Sequence, residues 1–279
     1  LPELPEAETI RRQLAPHIEG ARIVASWARL PRITRPDVET FVARTQGQRI
    51  VAARRHGKQL YFPLEDGWNL LVHLGMTGRL QVAPPSAERA GAGADTDRHI
   101  HAVLDLDNGQ RLVFRDPRTF GALAVEPDLA FLERMGPEPL ADDFDEAALA
   151  RVLRARTSPL KSLLLNQGIV AGLGNIYADE VCFLAGVHPA KRAHRVPLKR
   201  LAAVVSHMAP VLRRAIEARG ATLKDGGYQD LFGEEGIYHP HVYGRTGEPC
   251  TQCGSAIARG VLGAGKSARS YHFCPRCQR

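Results

Sequence analysis

Four cysteines near the C-terminus constrain this chain more than any other feature. Cys250, Cys253, Cys274 and Cys277 form two C-x2-C pairs with twenty residues between them. Two such knuckles bring four thiolates to the corners of a tetrahedron, the donor set of one structural zinc ion. A redox C-x-x-C needs no partner pair, and five cysteines in 279 residues are too few for a disulfide scaffold. With all four ligands drawn from protein, no position stays open for chemistry. The tail is therefore read as a zinc-stapled hairpin carrying "GKSARSYHF". The fifth cysteine, Cys182, lies among Val181, Phe183 and Leu184 and reads as core.

The hairpin also holds a literal phosphate-loop match, "GVLGAGKS", from Gly260 to Ser267. That pattern works only where a strand precedes it and a helix follows, so that the helix end cradles phosphates. Here "ARSYHFC" runs straight into the second cysteine pair, which leaves no room for a helix. Nucleotide hydrolysis is excluded. The Gly, Lys and Arg residues suit a hairpin tip that touches a nucleic-acid backbone.

Ahead of the tail the chain changes texture once. From Glu3 to about His17, the apolar positions Leu4, Ala7, Ile10 and Leu14 form one helical stripe. Short β-like runs follow: "ARIVASW", "QRIVAARRH", "KQLYFPL", "NLLVHLGM", "HAVLDL", "RLVFR" and "GALAV". Tight turns separate them, and Asn108-Gly109 is a hairpin signal. The pattern predicts an antiparallel sandwich or small barrel. The stretch "APPSAERAGAGADTD" reads as a mobile surface loop. Near Met135 the periodicity turns helical, with helices expected over 146–154, 159–166, 176–185 and one long helix over 197–218. The boundaries are thus 1–134, 135–243 and 244–279.

Hydrophobic residues make up 44% of the chain, and no apolar run approaches the ~20 residues that span a bilayer. The N-terminus lacks the pattern of a secretory signal, so a cytoplasmic protein without membrane contact is expected. The net charge of +7 favours a polyanionic partner but equally fits a plain basic protein. In "GIVAGLGNIYADE", Gly172 and Gly174 lead into a helix at Asn175. Such a turn exposes backbone amides to an anion, although on its own it reads as well as a helix–helix connection. Arg154, Arg156 and Lys161 precede it on a basic face.

The start, "LPELPEAET", holds the chemistry. With Pro2 as first residue, its secondary amine has a pKa of roughly 7.7–8 and is nucleophilic near neutral pH. Attack on a sugar C1′ gives an iminium, an electron sink. Glu3 can then move protons to the sugar or the departing group. Taken alone, the same residues merely open a helix, where acids suit the dipole. If Leu1 stays attached, the Pro2 nitrogen is an amide and inert. Leu1 is expected to be a start residue that is removed.

These motifs occur in one order: "PELPEAE", "GKQL", "HLGMTG", "DPRTFG", "GLGNIYADE" and "SYHFCPRCQ". Together they resemble the formamidopyrimidine-DNA glycosylase family, bacterial enzymes that remove oxidised purines such as 8-oxoguanine. The resemblance spans the whole chain. It implies an α+β, multidomain fold: an N-terminal β-sandwich with flanking helices, a helix–two-turn–helix domain, and a C-terminal zinc-finger β-hairpin. DNA would bind in a cleft between lobes. The resemblance makes Pro2 the nucleophile and Glu3 the general acid/base, with Glu6 as support. Lys58 becomes the proton donor for β-elimination, and Arg269 the phosphate contact assigned to δ-elimination. Met76, Arg118 and Phe120 would fill the gap left by the flipped nucleotide, since base flipping costs a few kcal/mol of stacking. His99, Arg118, Arg156, Lys161 and Asn175 would contact phosphates. Thr222 and Lys224, in "GATLKDGGYQDLFGEEG", would contact the flipped base.

Thr119 departs from the family's usual arginine, and Gly57 from its usual alanine. The implied partner is double-stranded DNA with oxidised purines or abasic sites, bound by a monomer associated with the bacterial nucleoid. No redox cofactor or catalytic metal is implied. The nearest rival is the endonuclease VIII-like class that excises oxidised pyrimidines, which begins Pro-Glu-Gly-Pro-Glu. A non-catalytic zinc-ribbon DNA binder is the rival of another class.

Overall fold

The computed structural model describes residues 2–84, 97–222 and 228–279, and only the backbone of Lys266. Leu1, Lys224 and most of the expected surface loop, residues 85–96, lie outside the described residues. Two compact units divide the chain: residues 1–132 with Thr222–Gly236, and Glu133–Ala221 with Ile237–Arg279. This division differs from the boundaries read from the sequence. The segment Thr222–Gly236 clusters with the first unit, and the cysteine tail with the second.

The first unit opens with α1 (Leu4–Ile18). Its stripe Leu4, Ala7, Ile10, Leu14, Ile18 is buried, and Pro5 sits in the first turn, where its missing N–H costs nothing. Then follow β1 (Ile23–Ala28), β2 (Thr34–Arg35), α2 (Val38–Thr45), β3 (Arg54–His56), β4 (Gln59–Pro63), β5 (Asn69–His73), β6 (Arg79–Ala83), β7 (Ile100–Leu106), β8 (Arg111–Arg115), β9 (Ala122–Glu126) and α3 (Ala130–Glu133). The strands form two sheets, ordered β1-β7-β8-β6 and β2-β9-β5-β4-β3. Every pair is antiparallel except β2 with β9. Leu60, Phe62, Leu70 and Val72 of one sheet share an apolar core with Leu80, Leu104, Leu112 and Phe114 of the other, and α1 adds Ala7, Ile10 and Leu14. This is the expected sandwich. The hairpin expected at Asn108-Gly109 joins β7 to β8, with Gly109 at φ 79. Helix α2 had no sequence reading; Asp37 caps it, accepting from the Thr40 amide at 2.7 Å.

The second unit holds α4 (Glu146–Arg154), α5 (Leu160–Leu164), α6 (Asn175–Leu184), α7 (Leu198–Ser206) and α8 (Met208–Glu217), then β10 (Ala258–Leu262) and β11 (Arg269–Phe273). The single long helix expected over 197–218 is in fact α7 and α8, broken at His207. Pro210 is the cause, because it has no N–H and its ring clashes with the carbonyl four residues back, at Ser206. Strands β10 and β11 pair as an antiparallel hairpin. Below them Phe183 of α6 packs with Val242, Cys250, Ile257 and Cys274 in a small core. Among the described residues, no helix is long and apolar enough to cross a membrane.

Candidate active site

At the start of α1, backbone geometry and acid chemistry coincide. Glu3 is the N-cap and Glu6 is the third helical residue, and the two form a capping box. The Glu3 amide donates to Glu6 Oε2 at 2.8 Å. Both carboxylates are buried, at 1% and 0% exposure, beside the helix amides that favour negative charge. Pro2 is buried next to them. Glu6 therefore serves the helix start and fixes the backbone that carries Glu3.

Lys58 arrives from far along the chain. It sits, half-buried, in the two-residue turn between β3 and β4, where His56 pairs with Gln59. Gly57 holds φ 55, the left-handed position such a turn demands of its first residue and one that an alanine resists. Burial pushes the Lys58 pKa below the ordinary lysine value, while the charges of Glu3 and Glu6 pull it back up. Far apart in sequence, Glu3 and Lys58 thus act on each other. His73, at the end of β5, belongs to the same neighbourhood. Desolvation first, then the cations Lys58 and Arg35, hold its imidazole below the usual range.

Arg55 ties the turn to the helix. Its Nε donates to Glu8 Oε2 at 3.0 Å, and its Nη1 donates to the Gly57 carbonyl at 2.8 Å. Glu8 also receives Arg11 at 2.8 Å and Arg12 at 2.7 Å. Burial alone would raise the Glu8 pKa, but the three arginines outweigh it and bring it down to about 2.

Met76, Arg118 and Phe120 stand on two neighbouring loops joined through Asp116. This carboxylate is fully buried. Its Oδ1 accepts from Thr77 Oγ1 at 2.5 Å and from the Arg118 amide at 3.2 Å, and its Oδ2 accepts from the Gly121 amide at 2.8 Å. The loops touch through their backbones at Gly75, where a Cβ would fall 2.5 Å from the Phe120 carbonyl carbon. So held, Phe120 stands 55% exposed, with the Arg118 guanidinium 4.9 Å from its ring. Met76 is half-buried beside them. Thr119 adopts φ 54, and Arg32 donates to its hydroxyl. The His99 carbonyl accepts from the Asp116 amide at 2.8 Å, which draws His99 to the same place.

In the second unit, Asn175 opens α6 after a glycine turn in which Gly172 has φ 100. Its buried Oδ1 has no hydrogen-bond partner. Arg156 and Arg269 are exposed. Lys161 departs from expectation. It is fully buried, with Nζ 2.8 Å from Asp179 Oδ1 and donating to the carbonyls of Ser270 at 2.7 Å and Asn175 at 3.1 Å. Two carbonyls and one carboxylate oxygen thus surround the ammonium, which no solvent reaches. Lys161 therefore does not present itself to a phosphate. It fixes the start of α6 and the strand residue next to Arg269. Asp179 completes the knot, accepting from the His272 amide at 2.8 Å. The Thr222 hydroxyl donates to the Tyr228 carbonyl at 3.1 Å and accepts from the Gly236 amide at 2.8 Å, closing its own segment.

The four tail thiols lie within 4.8 Å of one another and could hold a metal ion. Sulfur pairs stand at 3.4 Å for Cys253–Cys274 and 4.0 Å for Cys250–Cys277. Zinc–sulfur bonds of about 2.3 Å in a tetrahedron put the sulfurs about 3.8 Å apart. The donor set and its spacing fit zinc.

Sequence models of known families agree with this geometry. The N-terminal domain model of formamidopyrimidine-DNA glycosylase matches residues 1–123, and the H2TH domain model of the same enzyme matches residues 135–226. The chain belongs to the formamidopyrimidine-DNA glycosylase family. A formamidopyrimidine-DNA glycosylase of Chloroflexus aggregans is 42% identical over 285 residues, covering 100% of this chain and 98% of that one. One from Ruegeria pomeroyi is 42% identical over 289 residues and covers all of both chains. Among solved structures, Lactococcus lactis Fpg in complex with abasic-site DNA superposes with a TM-score of 0.88 at 33% identity over 100% of both chains. The MutM (Fpg) protein of Thermus thermophilus gives 0.85 at 38% identity over 99% of this chain and 98% of that one.

Sequence reasoning missed several of these residues. Asp116 opens "DPRTFG", but its burial between a hydroxyl and two amides shows only in the fold. His73 is the first residue of "HLGMTG", where no role was read for it. Glu8 had a local signal in Arg11 and Arg12 three and four residues on, whereas Arg55 had none, because its partner lies 47 positions away.

Proposed function

We propose that this chain is a bifunctional DNA glycosylase and abasic-site lyase of base-excision repair, acting on oxidised purines such as 8-oxoguanine and formamidopyrimidines in duplex DNA. The observation that carries the reading is the meeting of Pro2, Glu3 and Lys58 at one helix start, in a chain of this family. Related structures hold abasic-site DNA and Fapy-dG-containing DNA, the product and substrate of such an excision.

In this reading the Pro2 nitrogen, free at the N-terminus, attacks C1′ with its lone pair. The bond from C1′ to the base breaks, and the base departs with the bonding electrons and gains a proton. Glu3 delivers a proton to the ring oxygen as the sugar opens, and the amine loses its own proton to leave an iminium. The iminium acidifies the C2′ proton. Its removal expels the 3′ phosphate, and a second elimination expels the 5′ phosphate. Lys58, its pKa lowered by burial, is the group suited to move these protons. Arg269 sits on the phosphate beside the lesion. Met76, Arg118 and Phe120 occupy the space the flipped nucleotide leaves. His99, Arg156 and Asn175 contact phosphates. One zinc ion held by Cys250, Cys253, Cys274 and Cys277 supplies folding energy to the hairpin and no chemistry, since protein fills every coordination position.

The test is a labelled duplex with one 8-oxoguanine. The protein should cut at the lesion and leave phosphate on both new ends, and Glu3→Gln should slow excision by about a hundredfold or more. An uncut strand would overturn the reading. Cleavage at thymine glycol but not at 8-oxoguanine would move the protein to the pyrimidine-excising class.

A further inference from the structure

The turn ahead of β2 sets a cation against the loop that carries Arg118 and Phe120. The Ile33 and Thr34 amides donate to the Leu30 carbonyl at 3.1 and 3.2 Å, which closes that turn around Pro31 and Arg32. Ile33 is buried in the sandwich core, and its carbonyl accepts from the Leu123 amide at 2.7 Å. Thr34 then pairs with Leu123 where β2 runs parallel to β9. Strand β9 starts directly after the loop of residues 116–121. The backbone of Arg32 is therefore fixed beside that loop.

The side chains meet at Thr119. Its hydroxyl donates to the Arg118 carbonyl at 2.7 Å, which leaves its lone pairs to accept, and the Arg32 guanidinium donates to one of them. Thr119 stands at φ 54, a conformation that β-branched residues rarely adopt and that gathers at ligand-gripping sites. Arg32 and Arg118 are both exposed, as is Phe120. Among the described residues, neither guanidinium has a carboxylate partner. The acid of this loop, Asp116, is buried and already taken up by one hydroxyl and two amides. Two cations gathered at one loop with no acid beside them favour an anionic partner.

We propose that Arg32 is a DNA-binding residue that grips a backbone phosphate beside the gap, with Thr119 as the post that aims it. The inference rests on the proposed function, in which Phe120 enters the duplex. A strand carries one phosphate per about 3.4 Å of helix axis. Charges are screened only beyond about 10 Å at 0.1 M salt. A guanidinium touching the residue before Phe120 then stands inside the field of the backbone that Phe120 parts. Its planar fork of donors also suits the task, because one N–H can stay on Thr119 while others meet phosphate oxygens.

The experiment titrates the unsubstituted protein, Arg32→Ala, Arg32→Gln and Arg32→Lys against a duplex with a tetrahydrofuran abasic analogue, over a range of salt. The alanine and glutamine variants should bind about tenfold more weakly at low salt, as expected for one lost charge-assisted hydrogen bond. Both should lower the slope of log affinity against log salt by about one. The lysine variant keeps the charge and should keep the slope. Glutamine keeps a donor for Thr119 without the charge. If that variant binds like the unsubstituted protein, Arg32 only props the loop and the proposal is overturned. An unchanged slope in Arg32→Ala overturns it too. Neutral methylphosphonates, placed in turn at the linkages around the gap, locate the contact. One of them should weaken the unsubstituted protein and leave Arg32→Ala unaffected, whereas additive losses at every linkage would contradict the assignment. Excision of 8-oxoguanine by the unsubstituted protein is measured alongside. Its absence would overturn the proposed function, while the salt slopes and the phosphate coupling decide the Arg32 contact by themselves.

Discussion

Asp116 shows how one residue can organise several. Its two oxygens hold the Thr77 hydroxyl and the Arg118 and Gly121 amides, and so aim Arg118 and Phe120. Asp116→Asn leaves a single acceptor oxygen for partners that engage both. The expected cost is about 1–3 kcal/mol of stability, the penalty of a buried donor left unpaired. Thermal unfolding measures it, and a gel-shift titration should show weaker binding to a duplex carrying a gapped or abasic site. Unchanged values in both assays would mean the loops are held some other way. The residues that carry the proposed chemistry were legible in the sequence because Pro2, Glu3, Lys58, Met76, Arg118 and Phe120 lie in short contiguous motifs. Lys161 was not. A sequence shows a lysine's charge but not the depth of its ammonium, and α5 buries Leu160, Lys161, Leu163 and Leu164 together. The partner Asp179 and the Ser270 carbonyl come from elements that no local pattern relates to position 161.

At the scale of elements, two ion pairs join what the chain order separates. Lys161 and Asp179 couple α5, α6 and β11. Removing one partner of a fully buried pair strands the other charge and costs about 3–5 kcal/mol. Lys161→Ala should therefore unfold well below the unsubstituted protein, while its salt dependence of duplex binding, measured at low temperature, keeps its slope. Arg156→Ala, at an exposed cation, should instead reduce that slope by about one with no loss of stability. A flattened slope for Lys161→Ala would restore the phosphate role. The second pair, Glu8 with Arg55, joins α1 to β3. Glu8 falls from an ordinary value of 4.5 to about 2 on folding, so its contribution is present above pH 4.5 and is lost as the pH falls toward 2. The melting temperatures of the unsubstituted protein and Glu8→Gln should differ most above pH 4.5 and converge toward pH 2. A gap that is constant with pH would contradict the pairing. Elements were mostly legible where periodicity ran without conflict. The long helix over 197–218 failed because the apolar pattern continues through Pro210 while the backbone cannot.

For the molecule as a whole, the cysteine spacing and the ordered motifs were enough to name the family and the layers of the fold. They were not enough to divide the chain, because Thr222–Gly236 joins the first unit by contacts such as Gln13 with Asp230, each between residues far apart in sequence. The net charge of +7 fits a duplex partner only once Arg118, Arg156 and Arg269 are seen exposed. The central claim is that the Pro2 nitrogen forms a covalent bond with the sugar, and borohydride trapping tests it most directly. Protein whose intact mass begins at Pro2 is incubated with an 8-oxoguanine duplex and sodium borohydride, and the adduct is digested and sequenced by mass spectrometry. The reduced sugar should be found on the Pro2 nitrogen. An adduct on Lys58 or any other lysine, or no adduct at all, would contradict the account.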